Sequence, residues 1–197
     1  MKRIIIFILS GFIFFTADAQ KTHFGIKGGL NASSLHFGDN TSLDSKIGFH
    51  VGGLAHIHAS KTWAIQPEIF YSLEGAKGTL PNNNKLTYNL NYINVPVLLQ
   101  YFFYNGFRLE GGPQIGFLIS AKTKTGNITV DDKGFESTAF SIPLGVGYLT
   151  TEGLGFDARY VFGLSNINAN KNAPTIQSNV FQFGIFYQFG DTKMRRH

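Results

Sequence analysis

The sequence predicts an all-β fold: an eight-stranded antiparallel up-and-down transmembrane β-barrel. Three observations predict it. Apolar and polar residues alternate with a period of two through eight segments. The connections between segments are alternately short and long. The polar face is small and of mixed charge, not a lawn of Lys and Glu.

The bulk numbers are consistent with this. The chain has 197 residues, 43% hydrophobic and only 15% charged, against about 25% charged in ordinary soluble domains. Phe (20 residues) and Gly (23) are abundant. Phe favours strands, and Gly tolerates bends and close packing. The absence of Cys excludes disulfides and thiolate metal sites. The net charge of +5 is not gathered into a basic helix or block, apart from Lys193, Arg195, Arg196 and His197 at the end. No nucleic-acid-binding module is evident.

Residues 1–19, MKRIIIFILSGFIFFTADA, read as an export signal. Lys2 and Arg3 precede an apolar run, Ile4–Phe15, that is too short to span a bilayer. Ala17-Asp18-Ala19 fits a small-x-small cleavage site, with Gln20 the expected new N-terminus. Residues 20–197 would then form the barrel domain.

The segments follow in order. In His23–Asn31, Phe24, Ile26 and Leu30 oppose Lys27 and Asn31. In Ile47–His58, Ile47, Phe49, Val51 and Ile57 oppose His50, His56 and His58. In Trp63–Glu74, Trp63, Ile65, Ile69, Tyr71 and Leu73 oppose Gln66, Glu68, Ser72 and Glu74. Tyr88–Phe103 alternates too, with Leu98 on the polar side. Phe107–Ser120 sets Leu109, Ile115 and Phe117 against Arg108, Glu110 and Gln114. Thr138–Tyr148 is apolar on one side and Gly/Ser on the other. Leu154–Leu164 opposes Phe156, Ala158 and Tyr160 to Asp157 and Arg159. Val180–Phe189 closes the series, with Phe181, Phe183, Ile185 and Tyr187 against Gln182, Gly184 and Gln188.

Short connections (59–62, 104–106, 150–153) alternate with long polar ones (32–46, 75–87, 121–137, 165–179). Short turns at one end and long loops at the other is the pattern of outer-membrane barrels. Such a barrel must close, since an open edge in lipid leaves amides unsatisfied. With eight strands its bore is filled by side chains. Lys27, Glu68, Arg108, Glu110, Asp157 and Arg159 are the expected interior polar network, where buried ions must pair. Trp63, Tyr101, Tyr104, Tyr148, Tyr187 and Phe189 fall near the short-turn end and are the expected aromatic belt.

Four stretches carry a family resemblance. Leu90–Phe103 (LNYINVPVLLQYFF), Gly111–Ser120 (GGPQIGFLIS), Phe156–Ile167 (FDARYVFGLSNI) and Phe181–Phe189 (FQFGIFYQF) are similar, in order, to strands of PorT-like outer-membrane β-barrel proteins. The resemblance implies an eight-stranded barrel in a Gram-negative outer membrane. One branch of that family is associated with a protein-secretion machine. The tail GDTKMRRH after Phe189 departs from barrels that end on an aromatic.

Sites of chemistry are sparse. His50, His56 and His58 share a face, and pairing His58 with Ala64 would bring Glu68 opposite Leu54, diagonal to His56. A metal or His/Glu hydrolytic site is conceivable there, but a structural role is preferred. Asp131-Asp132 lacks a calcium-loop pattern. No catalytic residue, metal or cofactor is assigned. The expected function is that of a non-enzymatic scaffold, adhesion surface or envelope-complex subunit. Its expected partners are outer-membrane lipid and envelope proteins met through the long loops, with no nucleic acid, and the protein is expected to be a monomer. The alternatives are a barrel enzyme acting on lipid or peptide, for which His36 is the only rim histidine, and a soluble lipocalin-like carrier.

Overall fold

The computed structural model describes residues 22–38, 43–79, 83–103, 105–170 and 172–190. The expected export signal, Tyr104 and the basic tail lie outside these residues. The strands are β1 (Thr22–Phe37), β2 (Asp44–His58), β3 (Trp63–Thr79), β4 (Lys85–Phe102), β5 (Phe107–Gly111), β6 (Gln114–Thr125), β7 (Ile128–Asp131), β8 (Thr138–Leu149), β9 (Leu154–Gly163) and β10 (Ile176–Gln188).

Every pairing between these strands is antiparallel, and the sheet closes. β1 pairs with β2, β2 with β3 and β3 with β4. β4 pairs with both β5 and β6, and both of these pair with β8. β8–β9–β10 complete the ring, and β10 returns to β1 from Gly25↔Gln188 to Phe37↔Ile176. β5 and β6 are the two halves of one stave. Its break at Gly112-Pro113 is local: Pro113 has no N–H to give a ladder. The result is a ring of eight staves, with β7 hung on β6 alone.

The barrel is inside out relative to a soluble one. Phe24, Leu30, Ile119 and Phe183 point outward, each more than half exposed at 66%, 61%, 60% and 56%. Between them Lys27, Asn31, His50, Glu68, Arg108, Asp157, Arg159 and Gln182 are buried. A lipocalin-like carrier needs the reverse assignment, so that alternative is excluded. Leu98, on the polar side of its segment, is wholly buried in the bore.

The long-loop end differs from expectation. Most of 32–46 and 75–87 is strand, so β1–β4 run on well past the alternating segments. Inside these extensions Leu35, Ala76, Leu90, Tyr92, Ala121, Ile167 and Ile176 pack together, with Phe37, Leu43, Tyr88 and Phe135 against them. This apolar lid caps the bore and gives the extensions something to bury. β6 follows through a bulge: Asn91 pairs with Ser120 and Tyr92 with Leu118, leaving Ile119 as the extra residue. The bulge resets the alternation, turning Ala121 inward and Lys122 and Lys124 outward.

Candidate functional site

The bore fixes where each polar side chain can go. Adjacent staves bring Glu68 (β3), Lys27 (β1), Asp157 and Arg159 (β9), and Arg108 and Glu110 (β5) to its middle, all with side chains at most 1% exposed. Arg159 organises the group. Its Nη1 and Nη2 donate to Glu68 Oε2 and Oε1, both at 2.8 Å, in a two-pronged fork across the bore. Its Nε donates to Glu110. Lys27 Nζ donates to Glu68 Oε2 at 3.0 Å and lies 3.8 Å from Asp157. Three cations face three carboxylates, so this layer is neutral.

Arg108 is held differently. It stands 3.5 Å from Glu110 Oε2, and its guanidinium carbon lies 4.4 Å from the Phe186 ring centroid and 5.9 Å from that of Phe102. A desolvated guanidinium over an aromatic face is stabilised by about 2 kcal/mol. Phe186 and Phe102 have the parity of the polar face, Phe186 with Gln182 and Gln188, Phe102 with Gln100. That parity was the available signal that they point inward. Gly155 pairs with Phe186, and a Cβ there would overlap the Phe186 ring. The glycine thus makes the room for the stack.

Amides extend the cluster. Gln66 Nε2 donates to Glu68 Oε1 at 2.8 Å, and Gln100 Nε2 to Glu110 Oε2 at 2.8 Å. His56 Nδ1 meets Gln66 Oε1 at 3.1 Å, so it is the protonated nitrogen there. Towards the lid, Asn31 joins His50 at 2.8 Å and Ser72 at 2.9 Å. Ser72 and Asn94 donate to Glu74 Oε1 at 2.8 and 3.0 Å. Lys46, placed by sequence in a loop, is instead buried on β2 and donates to the Glu74 carbonyl at 3.0 Å. Sequence pattern gave no sign of it.

The histidines do not assemble a ligand set. His58 does pair with Ala64 and Leu54 with Glu68, but both Glu68 oxygens are already bonded to Arg159. His56 and His58 pack edge to face at 4.5 Å beside Phe102. Among the described residues no group of three His, Asp or Glu could hold a metal ion. Asp132 Oδ1 accepts from the Gly134 N–H at 2.8 Å, as in an ordinary polar turn.

At the short-turn end the aromatics face outward in pairs. Trp63 meets Tyr101 at 5.0 Å, Phe107 meets Tyr148 at 5.4 Å and Tyr187 meets Phe189 at 5.6 Å.

The geometry makes Glu110 a tie between Arg159, Arg108 and Gln100. Glu110→Ala is expected to lower the urea midpoint of the folded barrel, at a cost of about 3 kcal/mol for leaving buried cations underpaired. An unchanged midpoint in lipid vesicles would sink the idea of a coupled network.

Residues 18–169 match the outer membrane protein beta-barrel domain family. The chain belongs to that family. Its fold is shared with neisserial surface protein A (13% identity, TM-score 0.62, covering 86% of this chain and 100% of that one). It is shared too with Ail, the attachment invasion locus protein of Yersinia pestis (14% identity, TM-score 0.54, 86% and 99% covered). A second structure of Ail, in complex with the heparin analogue sucrose octasulfate, matches with a TM-score of 0.52, 14% identity and 86% and 99% covered. No curated protein matches the sequence. Family and fold together put the barrel in the outer membrane, with the apolar face to lipid.

Proposed function

We propose that this barrel, PorT-like in type, is a non-enzymatic envelope protein: a sealed scaffold that holds a rigid recognition surface above the membrane. The filling of the bore carries this reading. The ion layer, the amide layer and the apolar lid follow one another along the axis. A cavity beside Glu74, Tyr92, Asn94 and Gln114 measures about 20 Å³, room for about one water. Such a bore suits neither a pore nor a carrier.

The strand extensions support the same reading, because a paired and lidded sheet presents its loops with little ordering cost on binding. The connections 164–175 and 132–137 are the contact surface for envelope proteins. The names of the relatives, a surface protein and an attachment protein, accord with this role. The chain is read as a monomer whose export signal is cleaved before Gln20. The Trp63–Tyr101, Phe107–Tyr148 and Tyr187–Phe189 pairs are the belt on the periplasmic side.

The test is affinity capture from intact envelopes, paired with planar-bilayer recording on the purified barrel. The expected result is a defined protein partner, lost when residues 164–175 are replaced by a Gly/Ser linker, and no stepwise current. Reproducible single-channel steps, or capture indifferent to the replacement, would overturn the scaffold reading.

A further inference from the structure

The net positive charge that forms no block in the sequence is gathered by the fold. Lys77 on β3 stands opposite Thr87 on β4, and Thr87 stands opposite Lys124 on β6. Lys122 stands opposite Asn89. Lys85 stands opposite Thr79, one outward position beyond Thr87. All four lysines are exposed. They point outward from the wall, because Ala76, Tyr88 and Ala121, the alternate residues beside them, pack into the lid. Three strands whose successive basic positions are 2 to 37 residues apart in sequence thus build one basic face; strands lie about 4.8 Å apart, so Lys77 and Lys124 are separated by about 10 Å.

The acids in reach are Asp44, opposite Lys77, and Asp131, opposite Lys122. Both are exposed, and the face keeps an excess of two positive charges. No ion pair within 4.0 Å engages these lysines among the described residues. The nearby turn adds Lys133 against Asp132 and Glu136, which lowers the excess to one. Around the same rim, β1 and β10 offer Ser34, His36, Gln177 and Asn179, so the charge is confined to one side of the barrel.

Height identifies what this face meets. The outward positions of β4 and the turn beside it, from Phe103 to Ile93, are apolar or aromatic. Ten residues at about 3.3 Å, tilted by about 40°, rise about 25 Å, the height of the lipid-facing band of such barrels. Leu73 on β3 and Ile119 on β6 end the band on the neighbouring strands. Lys122 takes the next outward row, beside Asn89, Lys77 and Lys124 the row after it, beside Thr87, and Lys85 the third, at about 5, 10 and 15 Å above the band. Their side chains point sideways from the wall, and the long stems of the lower rows bring their ammonium groups to headgroup level.

We propose that Lys77, Lys85, Lys122 and Lys124 form a binding site for a phosphate-bearing lipid headgroup of the outer leaflet. This rests on the placement of the long-loop end at the outer surface. Four ammonium groups on a rigid sheet suit a headgroup with more than one phosphate, as point charges that need no fixed hydrogen-bond geometry. Each lysine near an anionic membrane surface contributes, and the attraction falls away within a Debye length.

The test measures retention of lipid A by the barrel in phosphatidylcholine nanodiscs doped with it, after repurification and phosphate assay. The wild-type chain is expected to retain lipid A at low salt and release it at high salt. K77Q/K85Q/K122Q/K124Q is expected to bind about tenfold more weakly. Asp44→Asn with Asp131→Asn is expected to bind more tightly, and Lys61→Gln, at the opposite end, to bind as wild type. Each variant is first shown to migrate faster unboiled than boiled, so a failure to form the barrel is separable from a failure of the site. Retention equal in wild type and quadruple variant overturns the proposal. So does equal binding of soluble inositol hexakisphosphate by discs without lipid A, since the site would then be a general polyanion surface.

Discussion

Arg159→Met is expected to destabilise the barrel more than any other change in the bore, by about 3–5 kcal/mol. Arg159 is about 1% exposed and serves Glu68 through both terminal nitrogens and Glu110 through Nε. Met fills a similar volume, so little of the loss is packing. What remains is two carboxylates in a closed bore. Glu68 keeps Lys27 and Gln66; Glu110 keeps Gln100 and an Arg108 at 3.5 Å. The double variant Arg159→Met/Glu68→Gln removes one of the stranded charges and is expected to recover part of the loss, with a coupling of about 1–3 kcal/mol. Urea titration of the barrel in lipid vesicles, followed by Trp63 fluorescence, reads both. Additive effects would mean that the two residues are neighbours without being partners.

Phe183→Arg is the complementary change on the outer wall. Phe183 lies mid-strand on β10, opposite Leu30 and Ala158, and is 56% exposed. On a soluble barrel, trading an exposed Phe for Arg is nearly neutral. In a bilayer, an Arg near the midplane of a barrel wall costs about 2–4 kcal/mol. The same substitution at Tyr187, by the short-turn end, is expected to cost about 1 kcal/mol or less, because the guanidinium reaches the headgroups. A depth-dependent penalty is thus expected in refolding titrations. Equal small effects at both positions would contradict the assignment of this face to lipid.

These two residues also show what the sequence makes legible. Period-two alternation places each side chain on one of two faces, and the character of the polar face chooses which is inside. Lys27, Glu68, Arg108, Glu110, Asp157 and Arg159 could be put on one face from parity alone, and the His58–Ala64 hairpin follows from the short turn before Trp63. Parity does not give height or partner across the bore. The Arg159–Glu68 fork joins residues 91 apart, and it depends on barrel closure, which no local pattern encodes.

The rest was hidden for definite physical reasons. The bulge at Ile119 shifts parity by one, so Ser120 reads as interior and Lys122 and Lys124 carry no sign of facing outward. Lys46 sits in a stretch rich in polar residues, where a buried strand lysine looks like loop. The extensions of β1–β4 pair polar Asn, Ser and Thr, which resemble loop composition; what keeps them folded is the lid from Leu35 to Ile176, contributed by six separate strands and loops. The basic face is dispersed along the chain and exists only because Lys77, Thr87 and Lys124 share one register row.

The central claim is that the Phe/Ile/Leu face meets lipid while the charged face fills the bore. Single tryptophans at 181 to 186 of β10, in a Trp63→Phe background, test it most directly through quenching by brominated phosphatidylcholine. Quenching is expected at 181, 183 and 185 and not at 182, 184 and 186, with the unquenched set also shielded from aqueous iodide. The opposite alternation, or uniform quenching along the strand, would contradict it.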